Sequence, residues 1–186
     1  MYCLQLDHFP VFIEQNVIQD MKKGIGSSSI GMLGNADVEE QYLVKIPQME
    51  ISGAVFNGLQ VETTSGESYS KLGTRLFDFG NVVVDYINGL FYFEPFNEIS
   101  KVNEKLFHIS PTVSDGKLFV GIIWDADLAN QISVGDQIVS VDDIDYTNVE
   151  MCDLMTIGVE LNGKNRATFG IKNAFGEVRR ITLERK

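Results

Sequence analysis

The chain has 186 residues, 44% of them hydrophobic and 22% charged, with a formal net charge of −11; this is the composition of a folded chain and excludes a disordered tail. Four Pro and 17 Gly exclude collagen-like or proline-rich character, and 26 acids against 15 bases argue against sequence-independent nucleic-acid binding, which needs a basic surface to neutralise phosphates. No run of about 18 apolar residues occurs, so no membrane span is predicted, and the length suits one large domain or two small ones.

The opening, Met1-Tyr2-Cys3-Leu4-Gln5-Leu6-Asp7, lacks the basic and apolar regions of a signal peptide. Phe9 to Lys23 places Ile13, Val17 and Met21 four residues apart with Ile18 beside them, the spacing of one helical face, which predicts a short helix. Gly24 to Gly34 is rich in Gly and Ser and reads as a mobile loop. Gln41 to Ile51 and Val55 to Thr64 alternate in the manner of strands and flank a Ser52-Gly53 break. Val82 to Pro95 gives the clearest local signal. Two runs of β-branched and aromatic residues flank Asn88-Gly89, a dipeptide suited to the positive φ angles of a type I′ turn, so a tight hairpin is predicted. The more polar stretch after Pro95 places a domain boundary near Asn97.

The second half repeats the β theme. Lys117 to Trp124 and Gln137 to Val141 read as strands, Thr147-Asn148-Val149-Glu150 has the spacing of a capping box that starts a helix toward Gly158, and Ala167 to Lys172 with Glu177 to Glu184 form a terminal hairpin around Asn173-Ala174-Phe175-Gly176. Charge is uneven here. Asp115 to Glu160 holds ten acids and one base, whereas Lys164 to Lys186 holds seven bases and two acids, as complementary faces of one fold would.

Chemistry-bearing motifs are sparse. Gly26 to Gly31 has the outer glycines of a P-loop, but Met32 and Leu33 stand where Lys and Ser or Thr are required, and Gly24-Ile25-Gly26 lacks the third glycine of a dinucleotide fingerprint. Neither His8 nor His108 has a zinc-ligand spacing; Cys3 and Cys152 are too few for a disulfide framework and read as free thiols. Asp142, Asp143 and Asp145 lack the glycine and closing glutamate of a calcium loop and read as a solvated turn. His108 and Ser110 are neighbours, but a Ser-His-acid triad is assembled in space and adjacency is no evidence for one. No cofactor or metal is expected.

Two stretches nevertheless resemble known families. Ser70-Lys71-Leu72-Gly73-Thr74-Arg75-Leu76-Phe77-Asp78-Phe79-Gly80-Asn81, followed by the Val82 to Pro95 segment, resembles the C-terminal part of a bacterial retropepsin-like aspartic protease domain, in which an apolar-Gly segment leads into a short helix and a final hairpin. Leu118-Phe119-Val120-Gly121-Ile122-Ile123 and Ile132-Ser133-Val134-Gly135-Asp136-Gln137-Ile138-Val139-Ser140-Val141-Asp142-Asp143 resemble a PDZ domain of the bacterial type. The fold these resemblances imply is mostly β: an incomplete retropepsin-like β-barrel over residues 1–97, then a PDZ-like β-barrel or sandwich with one or two short helices over residues 98–186.

Aspartic proteases work with two carboxylates sharing a proton, and a retropepsin-like domain supplies one, so the resemblance implies dimerisation through that domain. The carboxylate would be Asp7, with His8 and Phe9 standing where the family has a hydroxyl residue and glycine; alternatively, the motif lies before Phe9 and is truncated or replaced. The chain is therefore expected to be an aspartic-protease-like protein, catalytically incomplete as it stands, or a non-enzymatic peptide-binding scaffold. The PDZ resemblance implies binding of a polypeptide or a protein C-terminus by strand addition, with Leu106, Phe107, His108 and Ile109 at the carboxylate loop and Met151, Leu154 and Met155 on the helix wall, Val149 to Val159. Both resemblances imply a cell-envelope or exported protein.

Overall fold

The computed structural model describes residues 2–5, 9–18, 20–27, 30–31, 34–35, 37–64, 70–102, 105–148, 150, 161 and 163–186. The fold is mostly β. In chain order the elements are β1 (Tyr2–Gln5), α1 (Phe9–Glu14), β2 (Asp20–Gly26), β3 (Ile30–Gly31), β4 (Gly34–Asn35), β5 (Glu39–Ile51), β6 (Ala54–Thr64) and β7 (Lys71–Leu72). A 3-10 helix (Thr74–Asp78) precedes β8 (Gly80–Asp85), β9 (Leu90–Pro95), β10 (Ile99–Lys101), β11 (Ile109–Ser114) and β12 (Lys117–Ile123). A second 3-10 helix (Leu128–Asn130) leads to β13 (Gln137–Val141), β14 (Ile144–Asp145), β15 (Arg166–Lys172) and β16 (Val178–Glu184). No helix among the described residues is long and apolar enough to cross a membrane.

The chain divides into two compact units, Met1–Lys22 with Gln41–Glu104, and Lys23–Glu40 with Lys105–Lys186. The sequence boundary near Asn97 therefore differs from the structural one. The reason is β10, which pairs in parallel with β6 and keeps Ile99–Lys101 in the first unit. Neither large sheet closes on itself among the described residues, so the predicted barrels are open sheets.

The sheet that contains most of the first unit's strands has the order β2-β5-β6-β1-β7, with β10 also on β6. β5 and β6 form where the alternation predicts, and Ser52 (φ 50°) and Gly53 (φ 83°) make the two-residue connection between Ile51 and Ala54. Two consecutive positive φ angles define a type I′ turn, whose twist matches that of the strands it joins. The core gathers Phe9, Val44, Ile46, Ala54, Phe56, Leu59, Val61, Leu76 and Phe93. Phe56 lies at its centre, edge-on to Phe79 at 5.6 Å and tilted on Phe93 at 5.9 Å; burying such a ring stabilises the unit by roughly 1.5–3 kcal/mol.

The predicted helix over Phe9 to Lys23 stops at Glu14. Asn16 adopts φ 52°, its N–H donates to the Ile13 carbonyl, and the Val17 N–H reaches back to the Phe12 carbonyl, both at 3.0 Å. This is the Schellman pattern, and the accompanying apolar contact is provided for by Val17 and Phe12, which both pack on the core. Asparagine tolerates the left-handed conformation, so a helical periodicity running past it does not continue the helix.

The Val82 to Pro95 hairpin is present as β8 and β9, but its turn is longer than predicted. Asp85 pairs with Leu90, leaving Tyr86 to Gly89 as a four-residue connection in which only Gly89 has a positive φ, 65°. Asp85 organises it. One carboxylate oxygen accepts the N–H groups of Ile87 and Asn88 at 3.0 Å and the other accepts the Asn88 side-chain amide at 2.7 Å. These bonds, Asn88 first, hold the Asp85 carboxyl below its ordinary pKa, and a two-residue turn would forgo them.

In the second unit the order is β11-β12-β13-β15-β16, with β14 beside β13. Asp115 (φ 50°) and Gly116 (φ 67°) make a second type I′ turn, between Ser114 and Lys117. One face of this sheet buries Phe107, Ile109, Val113, Leu118, Val120, Ile138, Val141, Ala167, Phe169, Ile171 and Leu183 around Tyr146 and Ile132. The Gly24 to Gly34 stretch, predicted as a mobile loop, contains the end of β2 as well as β3 and β4. Close packing explains its glycines. A Cβ on Gly24 would strike Ile122 and Trp124, one on Gly26 the Gly121 carbonyl, and one on Gly121 the carbonyls of Ser27 and Ser110. The Ser27 N–H donates to Gly121 O at 3.1 Å, fastening this segment where β12 carries a bulge opposite Ser110 and Pro111.

Candidate functional site

The residues assigned to carboxylate capture converge at the start of β11. Its register is set at one end by the Asp115-Gly116 turn and at the other by the Trp124 N–H, which donates to the His108 carbonyl at 2.9 Å. Leu106 exchanges both main-chain bonds with Lys186, at 3.3 Å each, so its N–H is already engaged. Phe107 and Ile109 are core residues. Phe107 meets Phe169 edge-on at 5.6 Å and carries the Arg185 guanidinium over its ring at 5.0 Å, a cation–π contact. Arg185 also donates to the Leu161 carbonyl at 2.7 Å.

His108 is buried, 6% exposed, with Nδ1 3.2 Å from Oδ2 of Asp125. Lys186 Nζ approaches the same oxygen at 3.4 Å, while Oδ1 accepts the Asp127 N–H at 3.0 Å. The His108 bond, reinforced by Asp127 and Lys186, lowers the Asp125 pKa to about 2. An ionised carboxylate only accepts, so the proton between the two groups belongs to His108 Nδ1. Ser110 Oγ accepts the Trp124 indole N–H at 2.8 Å. The histidine and an acid thus come together, while the serine hydroxyl serves as the indole's acceptor. The sequence offers one signal for this cluster: Trp124, whose N–H needs a partner once the ring is buried.

Among the described residues β11 ends the strand order of its sheet, and it contains Pro111, a residue without an N–H that sheets tolerate on edge strands and at bulges. β4 comes close to β11, and no pairing between them is present among the described residues. Met151, Leu154, Met155 and, Glu150 apart, the rest of the expected Val149 to Val159 wall lie outside the described residues, as does Asp7. Thr147, the expected helix cap, bonds with Asp145 through both its N–H and its hydroxyl, and the helix it would start lies outside the described residues apart from Glu150. Asp142, read as part of a solvated turn, is pinned on both oxygens, by Lys164 Nζ and the Thr168 N–H, each at 2.8 Å. Its carboxyl pKa is lowered, chiefly by Lys164.

A depression of about 400 Å³ lies elsewhere in the second unit, between the Leu128–Asn130 helix, the Ser133 to Asp136 turn and the Asn173 to Phe175 turn, with Arg179 on its lining. None of the predicted site residues lines it. Compared with known proteins, the chain matches no family model, no curated protein and no solved structure.

Proposed function

We propose that the chain is a peptide-binding protein of the aspartic-protease and PDZ type, whose second unit takes an extended polypeptide segment by strand addition to β11. The observation that carries this reading is β11's place at the end of the sheet order, tolerant of Pro111 and held in register by the turn at Asp115-Gly116. Main-chain pairing supplies affinity in this mode, and side chains of alternate residues supply selectivity. Because Leu106 gives its N–H to Lys186, the reading favours an extended segment over capture of a terminal carboxylate by this amide.

Hydrogen exchange of the full chain with and without a library of extended peptides tests it. Bound peptide is expected to protect the amides of Ile109 to Ser114, with free-acid and amidated peptides protecting alike. Protection confined to other strands, or none across the library, overturns it.

Peptide hydrolysis by the first unit is the second reading. It is supported by the succession β7, Gly73, 3-10 helix and hairpin ending in Phe93-Glu94-Pro95, the order that the retropepsin resemblance implies, with Asp7 as the carboxylate. Cleavage of denatured polypeptide at mildly acidic pH, abolished by Asp7→Asn and by pepstatin, is the expected result. Cleavage that survives Asp7→Asn removes Asp7 from that role.

A further inference from the structure

The β8–β9 hairpin is a two-stranded sheet of its own. The Phe96 N–H donates to the Phe79 carbonyl, which makes that pair a bonded one; alternation along the register then directs the main-chain groups of Gly80, Val82 and Val84, and of Phe91, Phe93 and Pro95, away from the partner strand. No further strand pairs with either edge among the described residues. Pro95 removes a donor from the β9 edge, whereas β8 keeps all of its donors.

The far half of this hairpin is exposed on both faces. Val83, Leu90 and Tyr92 lie on one face, Val84 and Phe91 on the other, and Tyr86 and Ile87 at the tip are 90% and 95% exposed. An aromatic side chain carries roughly 150–250 Å², and about half or more of one is open to water on each face and at the tip: Tyr92 on one face, Phe91 on the other, Tyr86 between the strands. Along the hairpin segment itself the charges have one sign, with Arg75 just before it pairing with Asp78 at 4.0 Å. From Phe77 to Ser100 the chain has four acids, Asp78, Asp85, Glu94 and Glu98, and no base. A second copy would bring like charges together at this surface, whereas a basic strand would neutralise them.

We propose that the β8 edge is a docking site for an extended segment of another protein composed of apolar and basic residues. An apolar side chain would lie across from Val83 and a Lys or Arg two residues away across from Asp85, with main-chain bonds to Val82 and Val84. This site is independent of the one on β11.

The test is fluorescence anisotropy of the full chain with a labelled ten-residue peptide of Lys, Val and Thr, and with its counterpart in which Glu replaces Lys. Saturable binding of the Lys peptide is expected, at least tenfold tighter than that of the Glu peptide and weakened by salt. Val83→Lys, at an exposed position, should weaken it at least tenfold without changing the thermal melt followed by circular dichroism. Val84→Pro removes one outward donor and should weaken it as well; should that variant fail to fold, Val83→Lys decides. Equal affinity for the two peptides, or affinity unchanged by Val83→Lys, overturns the proposal. So does concentration-dependent self-association in sedimentation that Val83→Lys abolishes, which would assign the surface to a second copy.

Discussion

Two hairpins of similar length, β8–β9 and β11–β12, use β-branched and aromatic residues in similar proportion and meet opposite fates. In β11–β12 the sheet continues through β13, one face enters the core, and the Lys23 to Ser27 segment packs at Gly121 and Ile122. In β8–β9 no strand follows on either edge among the described residues, and beyond Val82 and Phe93 its apolar side chains meet water. The difference teaches that strand propensity places a hairpin but not its cover. Apolar area contributes to stability only when it leaves water, at roughly 25 cal/mol per Å².

Substitutions in the two hairpins should therefore separate cleanly, with Trp124, the only tryptophan and a buried one, reporting the second unit in urea titrations. Gly121→Val should have the largest effect, about 3 kcal/mol or more, since its side chain would be driven into the Ser27 and Ser110 carbonyls; an unchanged midpoint would show that β12 has room at the bulge. Ile122→Ala, at a fully buried position, should cost about 3 kcal/mol through lost transfer energy and the cavity left behind.

A pH effect of intermediate size is expected at Asp125. Its folded pKa is lowered from 3.8 to about 2, so its contribution is complete above pH 3.8 and is lost as pH falls through about 2. The side chain is 19% exposed, and the shift corresponds to a contribution on the order of 2 kcal/mol. Asp125→Asn should remove that slope from an acid titration monitored by Trp124 fluorescence; a slope that persists would place the acid sensitivity in other carboxylates. Smallest of all, Tyr92→Ser on the exposed face of β9 should shift the thermal midpoint followed by circular dichroism by no more than about 0.5 kcal/mol allows. A loss comparable to that of Ile122→Ala would mean that this hairpin is covered in solution.

Much of the β framework was legible along the chain. β5, β6, β12, β13 and the β15–β16 hairpin lie where alternation and turn residues place them, because period two and local turn chemistry are properties of neighbouring residues. The Asp115-Gly116 turn carries an equally local signal, whereas the residues before it, Ile109 to Ser114, hold Pro111 and two serines and do not read as a strand by alternation. The candidate site is legible in part: His108 falls in the loop that the PDZ resemblance implies, but its partner Asp125 is remote in sequence and Lys186 is further still.

By itself, then, the sequence determined that this is a β-rich chain, that it forms the β5–β6, β8–β9 and β15–β16 hairpins, and how its charge is distributed along the chain. Tertiary structure alone decided that Gly24 and Gly26 serve close packing, that β10 stays with the first unit, and that Asp125 holds His108 and Lys186 on one oxygen. Each of these depends on a backbone or side chain brought from a distance, and the energy of such an encounter has no signature in the residues on either side of one position.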